Sequence, residues 1–206
     1  MAVDFQLSFL PNTNRPDLIA WKDNFLDKYQ INGLKKEIKK LEYAEKAQII
    51  EDTQKQTVAT YDPSIRSSKV KWLPKSPAFQ NLYERIGETI LINNREHWNF
   101  DLKSMHEDIQ YTEYHAEDKG HYDWHLDLGP HWASLRKISV TINLSDPKDY
   151  DGGALEFDVG GKTKTFAPKS QGTLIAFPSY LMHKVNPITR GVRKSLVLWV
   201  GGSHFR

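Results

Sequence analysis

Residues 121–127 read His-Tyr-Asp-Trp-His-Leu-Asp, placing two imidazoles and two carboxylates within seven positions. Such groups can hold a metal ion, exchange protons, or decorate the rim of a strand. If the segment is extended, side chains alternate: His121, Asp123, His125 and Asp127 share one face, and Tyr122, Trp124 and Leu126 share the other. A lone His-x-Asp is weak, so a metal centre needs a third ligand. The best downstream candidate is His183, flanked by apolar Met182 and Val185, just after a run ending in Phe177-Pro178.

Two histidines and one carboxylate on one side of a small β-barrel make a facial triad. Such a triad leaves three cis positions of an octahedral iron(II) open for a bidentate co-substrate and dioxygen. Arg193, ten residues after His183, supplies a guanidinium able to grip a far carboxylate in a bidentate pair. The chain has no cysteine, which excludes thiolate zinc sites, iron–sulfur clusters and a cysteine nucleophile. A metal here must be held by His, Asp or Glu.

The elements that must position these residues follow from periodicity. The chain of 206 residues, 39% hydrophobic and 26% charged, has the length and composition of one soluble domain spanning 1–206. Residues 1–100 read as a mainly helical support and 101–206 as the catalytic core. Three amphipathic helices are predicted. The first carries Leu18, Trp21, Phe25 and Tyr29, with Asn14 as cap and Pro16 in the first turn. The second carries Leu34, Ile38, Leu41 and Ile49, and the third Phe79, Leu82, Ile86 and Ile90. From about residue 108 short β-rich runs alternate with turn signals. The implied fold is α+β, mostly β: a double-stranded β-helix, or jelly-roll, core with N-terminal buttressing helices.

A net charge of +2 is too balanced to imply nucleic-acid binding, and no GxxxxGK[ST] or GxGxxG loop is present. No apolar run reaches transmembrane length and no secretory leader is visible, so a cytoplasmic protein without membrane association is expected.

The sequence resembles the iron(II)- and 2-oxoglutarate-dependent dioxygenases, in their prolyl 4-hydroxylase-like branch. The resemblance is carried by Tyr114, the segment from Gly120 to Asp127, and Tyr150-Asp151-Gly152-Gly153-Ala154-Leu155. It continues through Phe177-Pro178-Ser179 to His183, then Pro187, Thr189-Arg190-Gly191-Val192-Arg193 and Trp199. It implies that His125, Asp127 and His183 bind the iron, that Arg193 pairs with the 5-carboxylate of 2-oxoglutarate, and that Tyr114 also approaches that co-substrate. Tyr122 and Trp199 match aromatic positions on the substrate side of the pocket, and both fit equally well as core aromatics.

The implied activity is hydroxylation, foremost prolyl 4-hydroxylation of a peptide or protein, consuming 2-oxoglutarate and dioxygen and releasing succinate and CO2, with ascorbate as reductant. The same chemistry on a free amino acid or small molecule is the first alternative, and a non-catalytic metal- and 2-oxoglutarate-binding jelly roll the second. Arg at 193, where collagen-type enzymes carry Lys, points away from a collagen substrate, and Gly-Gly-Ala-Leu stands where the family has Gly-Gly-Glu-Leu. Arg190 is the next candidate for the carboxylate. His121 reads as a surface or supporting group, since no HExxH glutamate accompanies it. His115 and His131 flank the motif, and Asp146, Asp149 and Asp151 read as turn formers. The sequence leaves the oligomeric state open.

Overall fold

Side-chain alternation decides the layering. In the strand Ile109–His115, Gln110, Thr112 and Tyr114 point one way while Ile109, Tyr111 and Glu113 point the other, and both sets are buried. The strand Ile188–Gly202 behaves likewise. Its Leu196, Leu198 and Val200 join an apolar cluster with the helices, whereas Arg193, Ser195, Val197 and Trp199 line a cavity. Strands buried on both faces must lie between two layers.

The computed structural model describes residues 17–44, 49–52, 57–60, 62–162 and 164–204, the side chains of 49–52 and 57–60 excepted. In chain order the elements are β1 (Ala20–Lys22), α1 (Lys28–Lys39), the paired β2 (Ile49–Asp52) and β3 (Thr57–Thr60), β4 (Arg66–Ser67), β5 (Lys69–Leu73) and α2 (Gln80–Asn93). There follow β6 (Leu102–Ser104), β7 (Ile109–His115), β8 (His121–His125), β9 (Arg136–Asn143), β10 (Tyr150–Gly152) and β11 (Leu155–Phe157). The last are β12 (Thr165–Phe166), β13 (Leu174–Pro178), β14 (His183–Val185) and β15 (Ile188–Gly202).

The large sheet runs β1-β13-β9-β15-β7-β5, with β6 and β10 also paired to β15; the small sheet runs β12-β11-β14-β8-β4. All these pairings are antiparallel. The fold is the jelly roll expected from the strand spacing. Ile31 and Ile38 of α1, with Leu82, Ile86 and Ile90 of α2, bury against Ile138, Ile142 and Leu198 on the outer face of the large sheet. Between the sheets, Leu155, Phe157, Ile175, Phe177 and Ile188 form a second cluster. No helix among the described residues is long and apolar enough to cross a membrane.

The helix expectations need correction. Trp21 lies in β1, which pairs with β13 through Ala20↔Ala176, and helix begins only at Lys28. A capping box sets that start: Gln30 N–H donates to Asp27 Oδ1 at 2.8 Å, and Asp27 N–H donates to Gln30 Oε1 at 3.0 Å. The Asp-x-x-Gln signature was readable, but the i, i+4 spacing of Trp21, Phe25 and Tyr29 overrode it. The helix closes at Lys39, so Ile49, assigned to the second helix, instead begins β2. The cap residues Asn14 and Pro16 lie outside the described residues. The third helix stands at Gln80–Asn93. Strands from the first hundred residues also join both sheets, with β1 and β5 at the two ends of the large one and β4 ending the small one.

On the helix side of β7, Glu113 is 6% exposed and accepts hydrogen bonds from Tyr111 Oη at 2.5 Å and Tyr43 Oη at 3.0 Å. His115 Nε2 lies 2.9 Å away and Lys194 Nζ 3.4 Å. Burial alone would raise this carboxyl. The Tyr111 and His115 hydrogen bonds, the Lys194 ammonium and the Tyr43 hydroxyl more than reverse that and hold it at about 2, against an ordinary value of 4.5. The folded value is depressed, so the stabilisation is complete above pH 4.5 and is lost as pH falls from there toward 2. Glu113→Gln is expected to lower the melting temperature at pH 7 and to flatten the acid limb of the stability curve. Superimposable wild-type and variant curves between pH 2 and 7 would refute this account.

Candidate active site

β8 and β14 pair with His125 directly opposite His183, the two ring centroids 4.2 Å apart. Two residues further along β14, Val185 pairs with Tyr122, three residues back from His125, so three residues of β8 span two of β14. This β-bulge cancels the strict alternation expected for the segment. Tyr122 therefore turns to the same side as His125, and the two rings stack with centroids 3.5 Å apart. The predicted shared face of His121, Asp123, His125 and Asp127 does not form. The nitrogens of His121 lie 2.9 and 3.0 Å from the carbonyls of Lys119 and Ser64, and Asp123 accepts its neighbour Trp124's backbone N–H at 2.8 Å.

Asp127 lies just beyond β8, where no ladder fixes it. It is held instead by Ser179 at the end of β13, whose carbonyl accepts the N–H groups of both Asp127 at 3.0 Å and Leu128 at 2.9 Å. The carboxylate then sits 3.7 Å from His125 Nε2 and 3.5 Å from His183 Nε2, and one ligand atom from each residue falls within 4.8 Å of the others.

Both histidines are oriented in the same way. His125 Nδ1 lies 2.7 Å from the Asp123 carbonyl and His183 Nδ1 lies 2.8 Å from the Leu181 carbonyl. A carbonyl only accepts, so Nδ1 carries the proton and Nε2 presents its lone pair. Burial, reinforced by the adjacent His183, pushes His125 below its ordinary value and keeps it neutral. Burial would raise the Asp127 carboxyl, but His183, His125 and Arg136 more than offset it, and the group stays ionised. Two Nε2 atoms and an ionised carboxylate thus converge. That donor set fits a divalent first-row cation, its outer nitrogens fixed by backbone carbonyls.

The triad opens on a cavity of about 770 Å³ lined by all three of these residues and by Tyr114, Tyr122, Arg193 and Trp199. Arg193 is 4% exposed and crosses from β15 to face Tyr114 of β7, its guanidinium 5.6 Å from that ring's centroid. It donates to Ser195 Oγ at 3.3 Å, and no carboxylate among the described residues pairs with it. Gly153, at φ +58°, makes the room: a Cβ there would sit 2.9 Å from Arg193 Cδ. Arg190 is excluded from this role, because it is exposed and paired with Asp151 at 2.6 Å. His115 bonds Glu113, and Asp146 caps its own turn through the Lys148 N–H at 3.0 Å.

The family model described as the 2OG-Fe(II) oxygenase superfamily matches residues 109–201. Residues 109–201 are thus similar to that superfamily over 93 of the chain's 206 residues. A "PKHD-type hydroxylase" of Teredinibacter turnerae is 32% identical over 140 residues, 65% of this chain and 62% of that protein. Another, of Sphingopyxis alaskensis, is 38% identical over 84 residues, 39% of this chain and 38% of its own. The chain therefore spans less than two thirds of the length of these relatives. A Trichoplax adhaerens prolyl hydroxylase, solved with a hypoxia inducible factor oxygen degradation domain peptide fragment, superposes with a TM-score of 0.73 at 18% identity over 93% of this chain and 85% of that one. A Pseudomonas putida prolyl-4-hydroxylase gives 0.66 at 20% identity over 90% and 93%. At those identities the structures speak for the fold.

The same cavity also contains residues that sequence reasoning missed. Arg136 forms a two-point ion pair with Glu107, through Nε at 2.8 Å and through Nη2, and donates from Nη1 to the Asp127 carbonyl at 3.1 Å. Its guanidinium lies over the ring of Trp199, 3.8 Å from the centroid, and over that of Trp132, 4.7 Å from the centroid. Arg136 opens a strand, as many surface arginines do, and Glu107 precedes one, so only the fold shows that they meet. Ser139 hydrogen-bonds the Asp127 carboxylate and lies 3.0 Å from Ser179 Oγ. Glu107→Ala leaves a buried cation beside Asp127 and is expected to cost about 3 kcal/mol of folding stability in a urea titration; a loss under about 0.5 kcal/mol would show the pair to behave as an exposed one.

Proposed function

We propose that this protein is an iron(II)- and 2-oxoglutarate-dependent hydroxylase that acts on a prolyl residue of a peptide or protein, with succinate and CO2 as co-products. The observation that carries the reading is the convergence of two Nε2 atoms and an ionised carboxylate, one ligand atom from each lying within 4.8 Å of the others. His125, Asp127 and His183 would hold the iron(II) on one side, leaving the cavity side open for other ligands. Iron bound there supplies the redox chemistry that couples dioxygen and 2-oxoglutarate to hydroxylation.

The protein's own part is positioning. Arg193, buried and without a carboxylate of its own, demands an anion and would take the far carboxylate of 2-oxoglutarate, with Tyr114 packed beside it. Tyr122 and Trp199 would border the substrate, the first by covering one face of His125 and the second by carrying the Arg136 guanidinium. The peptide reading is supported by the PKHD-type relatives and by the peptide complex of the Trichoplax neighbour.

Anaerobic addition of iron(II) and then 2-oxoglutarate is expected to produce a visible charge-transfer band in the wild type and none with Asp127→Ala. A folded wild type that gives no band overturns the metal assignment. Arg193→Ala is expected to keep iron affinity while raising the 2-oxoglutarate requirement about a hundredfold, a change of about 2.7 kcal/mol for a buried charge-assisted pair. Unchanged co-substrate affinity would remove Arg193 from that role. Mass spectrometry of proline-containing peptides and free amino acids after turnover then separates a peptide substrate from a small one by which gains one oxygen.

A further inference from the structure

The end of the cavity away from Arg193 holds a donor for which no described residue supplies an acceptor. Gln110 of β7 is 5% exposed and lines the cavity beside its cross-strand partners Trp72 and Val197. Its Oε1 is engaged twice, accepting from Arg66 Nη2 at 2.7 Å and from Thr112 Oγ1 at 3.2 Å. A guanidinium has no acceptor, so the amide atom facing it must be oxygen, and the orientation of the amide is settled. Nε2 is therefore the atom left over, and no described residue accepts a hydrogen bond from it.

Arg66 is itself fixed by Ser68 Oγ at 3.0 Å and lies 4.8 Å from the centroid of Tyr122, the ring stacked on His125. A chain of direct contacts thus runs from the triad through Tyr122 and Arg66 to Gln110. Along β7, Gln110 lies four residues, about 13 Å, from Tyr114 beneath Arg193. That span exceeds a five-carbon dicarboxylate and leaves this end for the substrate.

We propose that Gln110 is a specificity-determining residue of this site, its Nε2–H donating to a main-chain carbonyl oxygen of the peptide. The inference rests on the peptide reading above. A prolyl segment offers carbonyl acceptors and lacks one backbone N–H, so a donor suits it. Trp72, 41% exposed beside Gln110, adds an indole face on which an apolar ring can lie.

Two variants test the contact. Gln110→Met removes the donor at similar volume, and Gln110→Glu keeps an acceptor for Arg66 while removing the donor. Calorimetry under anaerobic conditions, on protein loaded with iron(II) and 2-oxoglutarate, would measure binding of short peptides that each carry one central proline. Both variants are expected to weaken binding of the best peptide about tenfold, the worth of one hydrogen bond, with 2-oxoglutarate affinity unchanged. Wild-type binding in Gln110→Glu would overturn the proposal even if Gln110→Met were impaired, since the defect would then lie in the anchoring of Arg66. A parallel loss of 2-oxoglutarate affinity in both variants would overturn it as well, by showing a general disturbance of the cavity. A wild type that binds none of the peptides while still forming the charge-transfer band would fail the peptide reading itself, and this contact with it.

Discussion

One carbonyl oxygen, that of Ser179, accepts the N–H groups of both Asp127 and Leu128, and the candidate active site depends on that pair of hydrogen bonds. Asp127 follows β8 without belonging to its ladder, so strand pairing alone would leave its carboxylate free to swing. Ser179 is completely buried, and its own N–H donates to the Lys137 carbonyl of β9 at 2.9 Å. The large sheet therefore reaches across to hold the small sheet's last ligand. The His125↔His183 register supplies two imidazoles; this link supplies the third group at the right depth.

Charge is distributed unequally through the cavity. Arg136 is neutralised by Glu107, set over two indole rings and spent on the Asp127 carbonyl. Arg193, equally buried, receives a serine hydroxyl and the Tyr114 ring, with no carboxylate paired to it among the described residues. A buried guanidinium without a counter-ion is costly, and such a cost persists where an incoming anion relieves it. One arginine is thus spent within the scaffold and the other has no carboxylate among the described residues, a difference invisible in composition.

Much of this was legible in the sequence where spacing carries geometry. The strand runs, the third helix and the triad candidates could be read because alternation, helical period and the His-x-Asp pattern each encode direction. Tyr122 was placed on the wrong face because a bulge is set by the partner strand, and β14 lies some sixty residues downstream. Trp21 was misassigned because an edge pairing with β13 prevailed over local periodicity. Glu107, Arg136, Arg66 and Gln110 were missed for a common reason: none belongs to a dense local motif, and each gains its meaning only from a partner far away in the chain.

β15 runs unbroken for 15 residues and pairs with β6, β7, β9 and β10. It carries Arg193 toward one end of the cavity and Trp199 toward the other, six residues and about 20 Å apart on the same face. A single extended strand held by neighbours on both sides stretches and bends little. The interval between Arg193 and Trp199 is thereby a built-in length. Under the proposed function the strand would act as a ruler, and a dicarboxylate one carbon longer or shorter would present its reactive end to the His125, Asp127 and His183 cluster out of step with everything bound beyond it.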